Sequence, residues 1–160
     1  MAPRFIADCM VGRLAKWLRA FGFDVLYHPF AEDGWLASQA RDSGRILLTR
    51  DTGMRYVYGV RTIFIQSDHV EEQLQQVVAE TPLDLDPAQS LTRCTVCNGE
   101  LATAARGEVW ERVPPFIYLT HERYAVCLDC RRVYWMGTHV GNMLARLTEL
   151  RGRAQPERAG

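Results

Sequence analysis

Short apolar runs and amphipathic stretches alternate through the first half of the chain. Arg4-Phe5-Ile6-Ala7-Asp8 is a strand-like run that ends in a carboxylate. After a turn, Leu14, Trp17, Leu18 and Phe21 recur at i, i+3, i+4 and i+7, one face of a helix that Gly22 stops. Asp24 to His28 reads as a second strand, closed by Pro29. Asp33 then caps a helix through Arg41 with Trp35, Leu36 and Ala40 as its apolar positions, and Gly44 ends it. Residues 45–49 form a third strand that leads into Asp51, and a short helix follows that reaches Tyr58. Arg61 to Ile65 is a fourth strand. Ser67-Asp68 opens a helix from His69 to Glu80, with Val70, Leu74, Val77 and Val78 on its apolar side. Strand and helix in repeated alternation call for a parallel sheet with both faces covered.

The pattern changes at residues 82–92, where Pro82, Asp84, Asp86, Pro87 and Ser90 follow no period and read as a linker. Beyond it come short strand-like runs, Val109 to Val113 before Pro114-Pro115 and Tyr124 to Val126 before Cys127. Thr138 caps a last helix with Val140, Met143, Leu144 and Leu147 on one face, and the chain from Gly152 on is polar. The expected division is a main α/β domain over 1–82, a linker over 83–92, a small cysteine-bearing unit plus helix over 93–151, and a flexible tail over 152–160.

With 160 residues, 48% of them hydrophobic, the chain is long enough to bury a real core. No apolar run approaches the roughly 18 residues of a membrane helix, and Met1-Ala2-Pro3-Arg4 has no signal-peptide layout. The expected setting is the cytoplasm, with no membrane partner. Net charge is zero, but residues 1–86 carry −3 and residues 87–160 carry +3. An acidic first part beside a basic second part suits a metal site next to an anion-binding surface, although a difference of this size also arises by chance.

Cys94-Thr95-Val96-Cys97 and Cys127-Leu128-Asp129-Cys130 are two C-x-x-C pairs. Each pair makes a knuckle whose thiolates reach one ion, and two knuckles complete the tetrahedron of structural zinc. Asn98-Gly99 after the first pair tolerates positive φ, and Arg131-Arg132 after the second offsets thiolate charge. A redox dithiol pair is the weaker alternative, because neither motif follows a strand and opens a helix. The fifth cysteine, Cys9, reads as a packed thiol beside Asp8.

Asp8 and Asp51 follow strands, Asp33 starts the helix after strand two, and Asp68 follows strand four. All four fall on the carboxyl side of the expected sheet, where open α/β sheets build their sites. Oxygen ligands of this kind select Mg²⁺ or Mn²⁺, and such a site activates water for phosphodiester hydrolysis. Taken singly, Asp33, Asp51 and Asp68 are better read as helix caps, and it is their shared placement at strand ends that raises the site reading.

The stretch Asp8 to Gly22, with Gly12-Arg13-Leu14-Ala15-Lys16-Trp17-Leu18-Arg19 inside it, resembles the Mut-seven C-terminal RNase family, a branch of the PIN-like nucleases. So do Arg45 to Asp51, and then Arg93-Cys94, Cys97-Asn98, Val113-Pro114, Cys127 to Cys130, Tyr134-Trp135 and Gly137-Thr138-His139. The resemblance implies a PIN-like three-layer α/β/α domain with a central parallel sheet, followed by a zinc ribbon and a C-terminal helix. It also implies metal-dependent ribonuclease activity, with Mg²⁺ or Mn²⁺ held by Asp8, Asp33 and Asp51, and Asp68 as the fourth acidic residue.

Arg13, Lys16 and Arg50 stand near the acidic positions, where they suit phosphates. Arg131, Arg132, Tyr134, Trp135 and His139 combine charge with aromatic faces on which unpaired bases stack. For Tyr134 and Trp135, packing of the ribbon is the competing reading; for His139 it is a helix start. The leading expectation is a ribonuclease acting on single-stranded or structured RNA such as tRNA, alone, as a homodimer or with a protein partner. The alternative is a catalytically weak RNA- or protein-binding module centred on the ribbon. A phospho-acceptor domain is disfavoured because no strand ends in a lysine; the chain's one Lys is Lys16, on the first helix.

Overall fold

Four parallel strands frame the computed structural model, which describes residues 1–154. They are β1 (Phe5–Ala7), β2 (Val25–Tyr27), β3 (Ile46–Thr49) and β4 (Thr62–Phe64), in the order β2-β1-β3-β4. Ala7 is level with Tyr27 on one side and Leu48 on the other. The chain steps outward from β1 to β2 and then back past β1 to β3. Right-handed crossovers therefore place the two connecting helices on opposite faces.

The side chains follow that logic. Phe5, Ala7 and Leu48 join Leu14 and Leu18 of α1 (Gly12–Ala20) and Leu74 and Val77 of α3 (Val70–Glu80) on one face. Ile6 and Leu47 point the other way, onto Leu36 and Ala40 of α2 (Asp33–Ser43) and onto Met54. The period of two in the strands and of 3.6 in the helices thus gives an α/β/α sandwich. Each fully buried leucine contributes roughly 1.5–3 kcal/mol.

A second, antiparallel sheet contains β5 (Leu101–Ala104), β6 (Tyr124–Cys127) and β7 (Val133–Trp135), in that order. Its small core is Ala104, Val109, Val113, Tyr124 and Val126, with Trp135 packed against it. Helix α4 (Pro115–Thr120) lies in the long connection between β5 and β6. Helix α5 (Thr138–Ala154) closes the described chain.

Several expectations change in detail. The helix expected from Asp51 to Tyr58 is a single 3-10 turn, Thr52–Met54, because the Asp51 carboxylate ties back to Gly53 and Gly59 takes a positive φ. Val109 to Val113 is not a strand: Arg106–Val109 is a 3-10 turn, and Val109 and Val113 are buried on one side of a turning segment. The stretch read as a linker is packed, since Leu83 and Leu85 enter the main core in alternation with exposed Pro82 and Asp84. The C-terminal helix, expected with the ribbon, packs on α3, and its Leu144 and Leu147 lie in the core of the parallel sheet. Of the tail expected over 152–160, residues 152–154 end α5 and residues 155–160 lie outside the described residues.

Candidate active site and metal centre

At the carboxyl edge of the sheet the chain leaves β1 in one direction and β3 in the other. The crevice between these neighbours is the switch point where open α/β sheets bind ligands. Asp8 sits there, only 4% exposed. Its Oδ1 accepts from the Met10 N–H at 2.8 Å, and its Oδ2 accepts from the Arg50 N–H at 3.1 Å and from the Thr49 hydroxyl. The Thr49 oxygen in turn accepts from the Asp51 N–H at 3.0 Å. One buried hydroxyl therefore fixes Asp8 relative to the backbone of Asp51. Sequence reasoning missed Thr49, although a threonine inside an otherwise apolar strand end was its signal.

Asp51 is half-buried, and its Oδ1 accepts from the Gly53 N–H at 2.8 Å. Asp33 is exposed in the first turn of α2, and Asp68 is exposed ahead of α3, 3.6 Å from the His69 ring. Side-chain capping is thus realised at Asp8 and Asp51, and neither α2 nor α3 receives a side-chain cap bond. The four carboxylates follow strands at one edge of the sheet, but no three of them bring their oxygens together. Among the described residues, Cys94, Cys97, Cys127 and Cys130 are the one group of three or more potential ligands with donor atoms all within 4.8 Å of one another.

That group has the geometry of a thiolate tetrahedron. The Sγ atoms of Cys94 and Cys130 are 3.6 Å apart, and those of Cys97 and Cys127 are 3.5 Å apart. Disulfide sulfurs lie near 2.05 Å, whereas Zn–S bonds of about 2.3 Å imply sulfurs about 3.8 Å apart in a tetrahedron. The two knuckles are built alike. The N–H of Cys97 points to Cys94 Sγ at 3.5 Å, and the N–H of Cys130 points to Cys127 Sγ at 3.4 Å. The residue after each pair, Asn98 or Arg131, has φ of 67° or 66°. Gly99 is needed for close approach: a Cβ there would stand 2.4 Å from Asp129 Oδ2 and 3.0 Å from Cys127 Sγ.

Electrostatics gives the same answer. Burial raises the Cys94 thiol, but the Tyr134 hydroxyl at 2.9 Å and the N–H groups of Cys97 and Val96 outweigh it and bring it to about 6. Burial and the neighbouring thiols push Cys97 up to about 12. Four thiolates cannot coexist here without a cation, so the residues fit a structural zinc ion. Cys9, expected to be packed, is exposed because it lies in the 3-10 turn Cys9–Val11 at the mouth of a cleft.

Arg13 and Lys16 are exposed on α1, and Arg50 is half-buried beside Asp51. Arg131 and Arg132 are exposed on the ribbon, and His139 is exposed in the first turn of α5. Tyr134 is engaged with Cys94, and Trp135 packs on the ribbon core, so their rings are half-buried.

A polar hub joins the two sheets and was not read from the sequence. Asn98 Oδ1 accepts from the Val25 N–H at 3.0 Å, and its Nδ2 donates to Asp24 at 2.7 Å. Arg45 grips the same Asp24 with two bonds of 2.8 and 2.9 Å. Arg19, 3% exposed, donates to Val25 O and to the Thr95 and Val96 carbonyls of the first knuckle. The knuckle thereby satisfies the outer edge of β2, which no strand covers.

Compared with known protein families, residues 3–147 match the Mut7-C RNAse domain. The chain belongs to that family. Its membership covers both the parallel sheet and the four-cysteine unit and points to a ribonuclease-type function, with RNA as the substrate class. No curated protein and no solved structure matches this Mut7-C chain. No helix among its described residues is long and apolar enough to cross a membrane.

Proposed function

We propose that this Mut7-C chain is a Mg²⁺- or Mn²⁺-dependent cytoplasmic ribonuclease whose reaction centre lies at Asp8 and Asp51, with Asp33 and Asp68 at its rim. The observation that carries the reading is Asp8 itself, a carboxylate buried at the switch point and oriented by three donors. A buried carboxylate so fixed is poised to meet a cation, and Asp51 leaves one carboxylate oxygen free of the Gly53 bond to join it. Mg²⁺ characteristically uses one or two carboxylates together with substrate phosphates and water, so this donor set fits without a four-acid cage. The bound ion supplies Lewis-acid stabilisation of phosphodiester hydrolysis.

The protein's own residues position the rest. Arg13 and Lys16, on the helix that follows Asp8, and Arg50, whose N–H bonds Asp8, offset phosphate charge. Thr49 keeps Asp8 and Asp51 in register. The zinc ribbon, with Arg131, Arg132 and His139 exposed, extends the RNA surface, while Tyr134 and Trp135 chiefly hold the ribbon together. A second reading, an RNA-binding module with a weak site, is favoured by the absence of three converging carboxylates among the described residues.

The test combines cleavage with binding. Labelled single-stranded RNA and a structured tRNA are incubated with wild type, Asp8→Asn and Asp51→Asn after Mn²⁺ addition. Cleavage by wild type that both substitutions abolish, with RNA binding retained, supports the nuclease. Binding by all three proteins without cleavage supports the module.

A further inference from the structure

Beside Asp8, between the start of α1 and the start of α3, lies a cleft of about 410 Å³. Its walls include Arg13, Lys16, Tyr27, Gln73 and Asp68. Lys16 is the single lysine of a chain whose other eighteen cationic side chains are arginines. Arg13 and Lys16 make no ion pair among the described residues, unlike Arg45, Arg146 and Arg153. The one carboxylate lining the cleft, Asp68, is 79% exposed on its side chain and hence largely screened by solvent. The Tyr27 ring closes the floor, so near to α1 that a Cβ on Gly12 would stand 2.6 Å from its hydroxyl. Glycine is therefore what admits the phenol to this position.

We propose that this cleft is a phosphate subsite, distinct from Asp8 and Asp51, that seats a phosphate of the RNA strand next to the one being cleaved. The proposal rests on the ribonuclease reading for its ligand. Lys16 and Arg13 supply the charge: neither is held in an ion pair among the described residues, Asp68 is largely screened by solvent, and Glu71, which lines the adjoining groove with Arg13, is paired with Arg146. The Tyr27 hydroxyl supplies a neutral donor. Register places the site: Tyr27 is level with Ala7, the residue before Asp8. A phosphate held here lies beside the reaction centre and steers the strand toward it. The shared chemistry is a phosphate, either an internal diester or a terminal monoester.

Binding of short 5′-phosphorylated and 5′-hydroxyl RNAs is measured by fluorescence anisotropy on the zinc-loaded protein without added Mg²⁺ or Mn²⁺, over a salt series. Wild type is compared with Lys16→Ala and Tyr27→Phe, with melting temperature as the check on folding. Lys16→Ala is expected to weaken binding about tenfold and to reduce the slope of log K against log salt by about 0.7, the loss of one contact to a single strand. Tyr27→Phe is expected to weaken binding less and to leave the slope unchanged. If Lys16→Ala removes only a preference for 5′-phosphorylated RNA, the subsite takes a terminal phosphate; if it weakens both RNAs equally, it takes an internal one. Unchanged affinity and slope in a folded Lys16→Ala protein overturn the proposal. A Lys16-dependent slope in a protein that never cleaves RNA keeps the subsite and overturns the nuclease instead.

Discussion

Replacing Asp24 with alanine is expected to destabilise the protein by about 3 kcal/mol, although Asp24 lies outside the candidate reaction centre. Asp24 takes two bonds from Arg45 and one from Asn98, and Arg45 is only 9% exposed. Removing the carboxylate leaves a buried guanidinium with two backbone carbonyls as its remaining partners, Phe5 at 3.1 Å and residue 24 itself at 3.4 Å. Breaking a fully buried pair costs about 3–5 kcal/mol. The Asp24 side chain is 22% exposed, so water relieves part of the loss and the lower end applies. For a domain of this size about 1 kcal/mol corresponds to 2–4 °C, which predicts a fall in Tm of about 6–12 °C. Burial raises the Asp24 carboxyl, but the Arg45 and Asn98 bonds outweigh it and hold it below the usual carboxylate range. A group depressed in the folded state stabilises above its unfolded pKa, near 3.9, and loses that contribution as pH falls through its folded value. The gap between wild type and Asp24→Asn is therefore full at neutral pH and narrows in acid. Scanning calorimetry of the zinc-loaded proteins measures both effects. A Tm change under about 2 °C for Asp24→Ala, or a gap that fails to narrow between about pH 5 and pH 3, refutes the reasoning.

Other expectations follow from the same geometry. Cys127→Ser is expected to abolish the one zinc ion per chain measured by elemental analysis, and to lower Tm because the knuckle no longer caps β2. Tyr134→Phe removes the hydroxyl from Cys94 Sγ and is expected to weaken zinc about tenfold in a chelator competition. Leu144→Ala, at a position 4% exposed in the main core, is expected to cost about 2–4 kcal/mol in urea unfolding. A loss under about 1 kcal/mol contradicts the placement of α5 on the parallel sheet.

What was legible in the sequence was what a single element declares by itself. The runs before Asp8 and Asp51 and the apolar face of α1 gave the parallel sheet and its edge. The C-x-x-C spacing gave the tetrahedral sulfur site. Relations between distant elements were not legible. The apolar face of α5 announces that something covers it without naming α3 as the cover. Asn98 reads as a residue tolerant of positive φ, and nothing local shows that its amide reaches the edge of β2. Val109 and Val113 suit either a strand or one side of a turn, and Pro114-Pro115 with the short α4 decided against the strand. Asp33 and Asp68 carry the residue type and helix-start position of a cap, and only the fold shows that neither helix is capped by a side chain.

The most direct test of the central claim is single-turnover cleavage of labelled RNA with Mn²⁺ omitted and then added back. Omission is preferable to a chelator, which would also strip the ribbon of zinc. The account predicts cleavage by wild type on Mn²⁺ addition and at least about a hundredfold slower cleavage, at or beyond the roughly 10–100-fold that loss of an outer-shell partner of a metal produces, by both Asp8→Asn and Asp51→Asn at unchanged zinc content. Equal cleavage by all three proteins, or none by wild type with Mn²⁺ restored, contradicts it.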